Sequence, residues 1–67
     1  MSATEIHTHL QELHLERALA AIEGLDRDAM YMADLEDEIT AVKGAYVGAA
    51  VTEIALLRAD LSGPLAG

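Results

Sequence analysis

Three histidines lie near the start of the chain, and their spacing decides whether they can bind a metal ion. His7 and His14 are seven residues apart, whereas His9 has a carboxylate four residues before it at Glu5 and three residues after it at Glu12. Two metal ligands on one helix need a separation of three or four residues, and only His9 with either glutamate provides it. Such pairs arise commonly by chance on an exposed helix face, so we expect no metal site and no cofactor. A pH-sensitive interface is the alternative, because imidazole titrates near neutral pH.

The sequence contains no recognisable catalytic arrangement. It lacks cysteine and has no glycine-rich loop between a strand and a helix. No Glu is followed by His three residues later, so the chain departs from the Glu-x-x-His pattern of di-iron carboxylate bundles. The acidic cluster after Tyr31 lacks the spacing and the central glycine of a calcium-binding loop. We therefore predict a protein that is not an enzyme.

The charge balance argues against direct nucleic-acid binding. Twelve acidic and four basic side chains give a formal net charge of −8, so the basic surface that such proteins need is absent. The chain has no Phe or Trp and only two Tyr, too few for a base-stacking platform. An acidic surface does suit a basic protein partner. The residues predicted to form this acidic face are Glu12, Glu16, Asp34, Asp37 and Glu38.

The first predicted helix covers residues 3–23. Ser2 and Glu5 have the spacing of a capping box, in which each side chain bonds the other residue's backbone amide. No Gly or Pro interrupts the segment. At 100° per residue, one polar stripe is flanked by two apolar faces, which indicates contact with more than one neighbour. One face comprises Ile6, Leu10, Leu13 and Ala20; the other comprises Leu15, Ala18, Leu19, Ile22 and Leu25.

A short turn over residues 24–26 follows. Gly24 suits the left-handed position that ends a helix, and Leu25 can make the apolar contact that accompanies it. Asp26 or Asp28 then caps the second helix. Because the connection is so short, the two helices must be antiparallel neighbours.

The second predicted helix covers residues 27–62. Its apolar residues repeat with alternating spacings of three and four, which is typical of a coiled-coil seam. Glu53 interrupts this seam, and a shifted apolar line restores it, as in a stutter. The seam comprises Met32, Leu35, Ile39, Val42, Tyr46 and Ala49; the shifted line comprises Ala50, Ile54, Leu57 and Leu61. Gly63-Pro64 ends the helix and leaves a tail over residues 63–67.

Gly44 and Gly48 form a G-x-x-x-G motif, whose small residues let two helices approach closely. The motif predicts a tight crossing with a second copy or a partner. The alternatives are packing against the first helix or simple tolerance of glycine. A break at these glycines would instead give a three-helix bundle. Without proline or a polar turn cluster there, we predict one continuous helix.

The unequal helix lengths lead to the functional prediction. With Ala3 opposite Val47, about fifteen residues of the second helix have no partner from the same chain. Their exposed aliphatic side chains would forfeit on the order of 10 kcal/mol. We therefore predict an all-α antiparallel hairpin, one domain over residues 1–67, completed by oligomerisation or docking. The predicted interface residues are Gly44, Tyr46, Gly48, Val51, Ile54, Leu57, Leu61 and Leu65.

The expected role is a structural or protein-interaction module that binds itself or a larger assembly. The alternative is a small acidic inhibitor or regulator that binds a basic surface of another protein. The amino-acid usage suggests a high-GC genome, which suits a minor component of a phage particle or of a host complex. No secretory signal is evident, and the longest uncharged run, Gly44 to Thr52, is too short to span a membrane. We expect a cytoplasmic or virion-associated protein.

Overall fold

The computed structural model describes residues 1–62 as an all-α hairpin. Helix α1 covers Ala3–Ile22, a 3₁₀ helix covers Leu25–Arg27, and helix α2 covers Ala29–Ser62. The predicted fold class, a short first helix followed by a long second helix, is confirmed. The hairpin is a rod with principal extents of 62 × 16 × 13 Å. The predicted tail over residues 63–67 lies outside the described residues.

Helix α1 starts with the predicted capping box. The backbone amide of Glu5 donates to Ser2 Oγ at 3.2 Å, and the amide of Ser2 donates to Glu5 Oε1 at 3.3 Å. Both bonds satisfy amides that have no partner within the helix. The Glu5 carboxylate also lies in the first turn, where the helix dipole favours a negative charge.

The connection between the helices is longer than the predicted turn over residues 24–26. Gly24 has φ of 81°, the left-handed conformation expected of it. The chain then makes a 3₁₀ turn, in which the Asp28 amide donates to the Leu25 carbonyl at 3.0 Å. Asp28 rather than Asp26 caps α2, because its Oδ1 accepts from the Tyr31 amide at 3.0 Å. Helix α2 therefore begins at Ala29 and not at residue 27.

The hydrophobic core lies in the half of the hairpin nearer the turn. Leu10 and Leu13 of α1 pack against Leu35 and Ile39 of α2, and all four are buried. Tyr31, Met32 and Val42 are partly buried against this cluster. The predicted seam of α2 thus faces α1. Leu35 and Ile39 are the buried residues of α2, whereas α1 also buries residues beyond the cluster, namely Ala3, Ile6 and Ala20.

Helix α2 is continuous through Gly44 and Gly48. The three-helix alternative, which required a break there, is therefore wrong. A methyl group added at either glycine would meet nothing within 4 Å. Within the described chain, α1 therefore does not pack closely against the G-x-x-x-G motif. Close packing of α1 was one of the two alternative explanations of that motif.

The contacts between the helices centre on the predicted register, in which Ala3 lies opposite Val47. Tyr31 bonds Glu16 near the turn, and His7 contacts Tyr46 near the start of α1. The Ala3 amide also donates to Glu53 Oε1 at 3.0 Å, because the long Glu53 side chain leans towards the N-terminus of its own helix and so reaches the start of α1. Within the described chain, residues 54–62 extend past this contact and are exposed.

Candidate interaction surface

Large aliphatic side chains remain exposed over the last third of α2. Ile54 is 54% exposed and Leu61 is 66% exposed. They belong to one apolar area, which we call the distal patch, because its members fall within about 120° of one another around the helix. The distal patch comprises Val47, Val51, Ile54, Leu57 and Leu61.

The other predicted interface residues have different surroundings. Gly44 and Gly48 are exposed and form a strip of helix surface without side chains, which we call the glycine strip. The glycine strip runs towards the distal patch. Tyr46 is half-buried within the hairpin, where its ring is tilted by 50° against the His7 ring at a centroid distance of 5.4 Å. Leu65 lies outside the described residues.

Part of the predicted acidic face is engaged within the chain. The Tyr31 hydroxyl donates to Glu16 Oε2 at 2.7 Å. This hydrogen bond to a carboxylate, with smaller contributions from desolvation and charge, raises the pKa of Tyr31. Glu38 and Glu12 lie 3.7 and 3.8 Å from the His9 ring nitrogens.

Asp34 and Asp37, the remaining residues of that face, are exposed. Glu36, which lies next to Asp37 on α2, pairs with Arg17 across the hairpin at 3.1 Å. Glu12, Glu16 and Glu38 of the acidic face therefore have contacts within the hairpin, whereas no ion pair within residues 1–62 involves Asp34 or Asp37.

The histidines do not converge. His7 contacts Tyr46, while Nδ1 of His14 lies 3.2 Å from a guanidinium nitrogen of Arg17. His9 lies on the opposite side of the hairpin, between Glu12 and Glu38. Among residues 1–62, no three His, Asp or Glu side chains form a group that could hold a metal ion.

A groove at the turn end of the rod was not predicted as such. Its apolar floor and acidic rim enclose a cleft of about 280 Å³. We call it the acidic groove. It comprises Glu12, Leu15, Glu16, Leu19, Ala20, Glu23, Leu25 and Tyr31. The second apolar face of the first helix was the signal for it, since Leu15 and Leu19 of that face are 60% and 50% exposed.

A second cleft lies at the edge of the distal patch. Val51, Ile54, Ala55 and Arg58 line a space of about 350 Å³. The cleft brings one cation next to three apolar side chains. Among residues 1–62, the ion pairs of the hairpin involve His9 and Arg17, and Arg58 takes part in none of them.

By length and composition alone, α2 could cross a membrane. An 18-residue window within Ala29–Ser62 has a mean hydropathy of 1.3, and 6% of that window is buried. The core helix of a soluble protein passes the same test, so this property is weak evidence. The expectation that the chain does not span a membrane stays a prediction.

The comparisons with known proteins found no similarity on which to base a function. No protein-family model matches the chain, and neither a curated protein nor a solved structure matches it significantly. A proposed function must therefore be argued from the surfaces of the hairpin itself.

Proposed function

We propose that the chain is a non-enzymatic interaction module that self-associates, or docks into a larger assembly, through the distal patch. The observation that carries the proposal is the exposure of five large aliphatic side chains on one face of α2. Contiguous apolar surface of this kind is typical of protein-interaction sites. A phage particle or a host complex as the assembly remains a prediction from amino-acid usage.

The free energy that burial of the distal patch would contribute is large for a chain of this size. A fully buried aliphatic side chain gains roughly 1.5–3 kcal/mol. Because the side chains of the distal patch are about half exposed, together they forfeit on the order of 5 kcal/mol. The net stability of a domain this small is itself only a few kcal/mol. Covering the distal patch would therefore change the stability of the protein substantially.

The total accessible surface supports the same conclusion. The chain exposes 5116 Å². A compact monomeric protein of 7.1 kDa is expected to expose about 4,100 Å². The excess of roughly a quarter is the surface that a second chain could cover.

Replacing two residues of the distal patch tests the proposal. Ile54→Asp with Leu57→Asp places carboxylates where burial against a partner is expected. The matched control is Ala33→Asp with Ala41→Asp, since both alanines are exposed on α2 outside the distal patch. Light scattering coupled to size exclusion, over a hundredfold concentration range, should show a loss of mass for the first pair only. Unchanged mass, helicity and melting temperature in the first pair would contradict the proposal.

The alternative function, an acidic regulator of a basic partner, predicts different behaviour. Exposed charges are screened over roughly 10 Å at 0.1 M salt, so such binding would weaken steeply as salt is added. Apolar docking through the distal patch would not. The exposed carboxylates of Asp34 and Asp37 favour this alternative, but they need no covering, whereas the distal patch does.

Vesicle flotation separates docking on protein from insertion into lipid. Neutral phosphatidylcholine vesicles are the probe, because their surface carries no net charge that would attract or repel the acidic chain. Docking on protein predicts that the chain stays with the unbound fraction. Flotation that is lost in the Ile54→Asp, Leu57→Asp variant would assign the distal patch to a membrane instead.

A further inference from the structure

The acidic groove has the properties of a receptor for an apolar surface that carries a cation. Leu15, Leu19 and Leu25 supply its floor, and all three remain partly or largely exposed. Its rim carries carboxylates that cannot be buried by an apolar partner without losing their hydration. An occupant must therefore bring both aliphatic side chains and positive charge.

The distal patch of the same chain meets both requirements. Its cleft combines Val51, Ile54 and Ala55 with the guanidinium of Arg58. An arginine beside apolar groups suits burial against a carboxylate, because its planar donors match the two carboxylate oxygens. Neither surface fits a copy of itself as well. Two grooves would bring carboxylates together, and two distal patches would leave each Arg58 without a carboxylate partner among the residues of the facing patch.

We propose that the distal patch of one copy docks into the acidic groove of a second copy, with Arg58 among the carboxylates of Glu12, Glu16 and Glu23. The inference rests on the proposed function, because it takes self-association through the distal patch as given and names the surface that receives it. It adds a second binding surface on α1, which the function proposed above does not require.

The positions of the two surfaces make this contact head-to-tail. Tyr31 and Ile54 are separated along α2 by roughly 35 Å at 1.5 Å per residue, so one chain cannot dock into itself. At 100° per residue, Arg58 is turned roughly 180° from Tyr31 around the helix. The patch and the groove therefore lie on opposite sides of the rod. Two copies related by a twofold axis present the same side to each other, so a twofold dimer cannot place each patch in the partner's groove. A docked pair therefore leaves one patch and one groove free for further copies.

Mixing two defective variants tests the contact. The patch variant carries Ile54→Asp with Leu57→Asp, and the groove variant carries Leu15→Asp with Leu19→Asp at exposed positions of α1. The wild type should grow in mass with concentration, and each variant alone should associate at least about tenfold more weakly, as expected when central apolar anchors are lost. An equimolar mixture should form a 1:1 complex, because one intact patch and one intact groove remain.

The outcomes separate this inference from the proposed function. A groove variant that associates like the wild type, beside a monomeric patch variant, overturns the inference and leaves the proposed function standing. Two monomeric variants that form no complex when mixed also overturn it. A wild type that stays monomeric throughout overturns the inference and restricts the proposed function to docking on another protein. A patch variant that associates like the wild type overturns both.

A charge exchange keeps the test valid if the aspartates disturb folding. Arg58→Glu in one chain and Glu12→Arg with Glu23→Arg in another alter only charge on the surface. Each chain alone should associate more weakly than the wild type, since its patch and groove now carry like charges. Their equimolar mixture should recover, because the carboxylate introduced at position 58 of one variant then meets the guanidinium groups introduced into the groove of the other. Equal association of both variants and the wild type, with no gain on mixing, refutes the pairing of patch and groove.

Discussion

Replacement of Glu53 gives the sharpest test of how the hairpin is held together. The Glu53 carboxylate accepts a hydrogen bond from the Ala3 amide at 3.0 Å, at the positively polarised end of α1. A side chain of α2 thus caps α1 from fifty residues away. Glu53→Ala removes this acceptor. Asp37→Ala is the matched control, because Asp37 is an exposed carboxylate of α2 that lies far from the N-terminus of α1.

The magnitude follows from three contributions. A hydrogen bond to a charged group contributes about 1.5–3 kcal/mol when fully buried; we take about 1 kcal/mol because this bond is only part-buried. The interaction with the helix dipole adds about 0.5 kcal/mol. Alanine recovers about 0.4 kcal/mol through its higher helix propensity. The free energy of unfolding should therefore fall by about 1 kcal/mol, which lowers the melting temperature by roughly 4–8 °C in a domain of this size.

Thermal denaturation followed by circular dichroism at one fixed protein concentration measures the effect. Glu53→Gln should lose less than Glu53→Ala, because its amide oxygen can still accept from Ala3. The Ala3 amide resonance in a nitrogen–proton correlation spectrum should move in both variants. If Glu53→Ala and Asp37→Ala melt within a degree or so of each other, or if the Ala3 resonance stays in place, the tertiary cap does not contribute as argued.

The remaining predictions concern the core, the glycine strip and one tyrosine. Leu35→Ala should destabilise the hairpin by about 2–4 kcal/mol, seen as a large loss of helicity on mild heating. Gly44→Ala should stabilise an uncovered α2 by about 1 kcal/mol, whereas weaker self-association in this variant would place the strip inside the interface. Glu16→Gln should lower the pKa of Tyr31, measured by tyrosinate absorbance in a Tyr46→Phe background. Because the pKa of Tyr31 is raised on folding, its stabilising contribution is full below the unfolded value of 10.0 and is lost as pH rises through the folded value.

Local features of the fold could be predicted from the sequence because they depend on neighbouring residues. The Ser2–Glu5 capping box and the left-handed Gly24 both occur as predicted. The seam that places Leu35 and Ile39 against α1 also follows from residue spacing alone. In each case the physical cause lies within a few residues of the feature or in a helical repeat.

Features that join distant parts of the chain were harder to predict. The 3₁₀ turn was not predicted, because its residues leave no clear signal in the sequence. The role of Glu53, which was interpreted only as an interruption of the seam, was also missed, because its bond to the Ala3 amide joins residues fifty positions apart. The acidic groove was missed because its walls come from α1, the turn and Tyr31 together.

The position of the core determines how firmly different parts of α2 are held. Its buried residues lie in its first half, and residues 54–62 extend past the start of α1 as a helix that no other residue among 1–62 covers. Amide hydrogen exchange should therefore speed up steadily from Ile39 towards Ser62. A partner that binds the last turns selects the copies in which these turns are helical, so fraying of the turns lowers its apparent affinity. Substitutions that raise the helix propensity of these turns should therefore strengthen binding without altering a single contact.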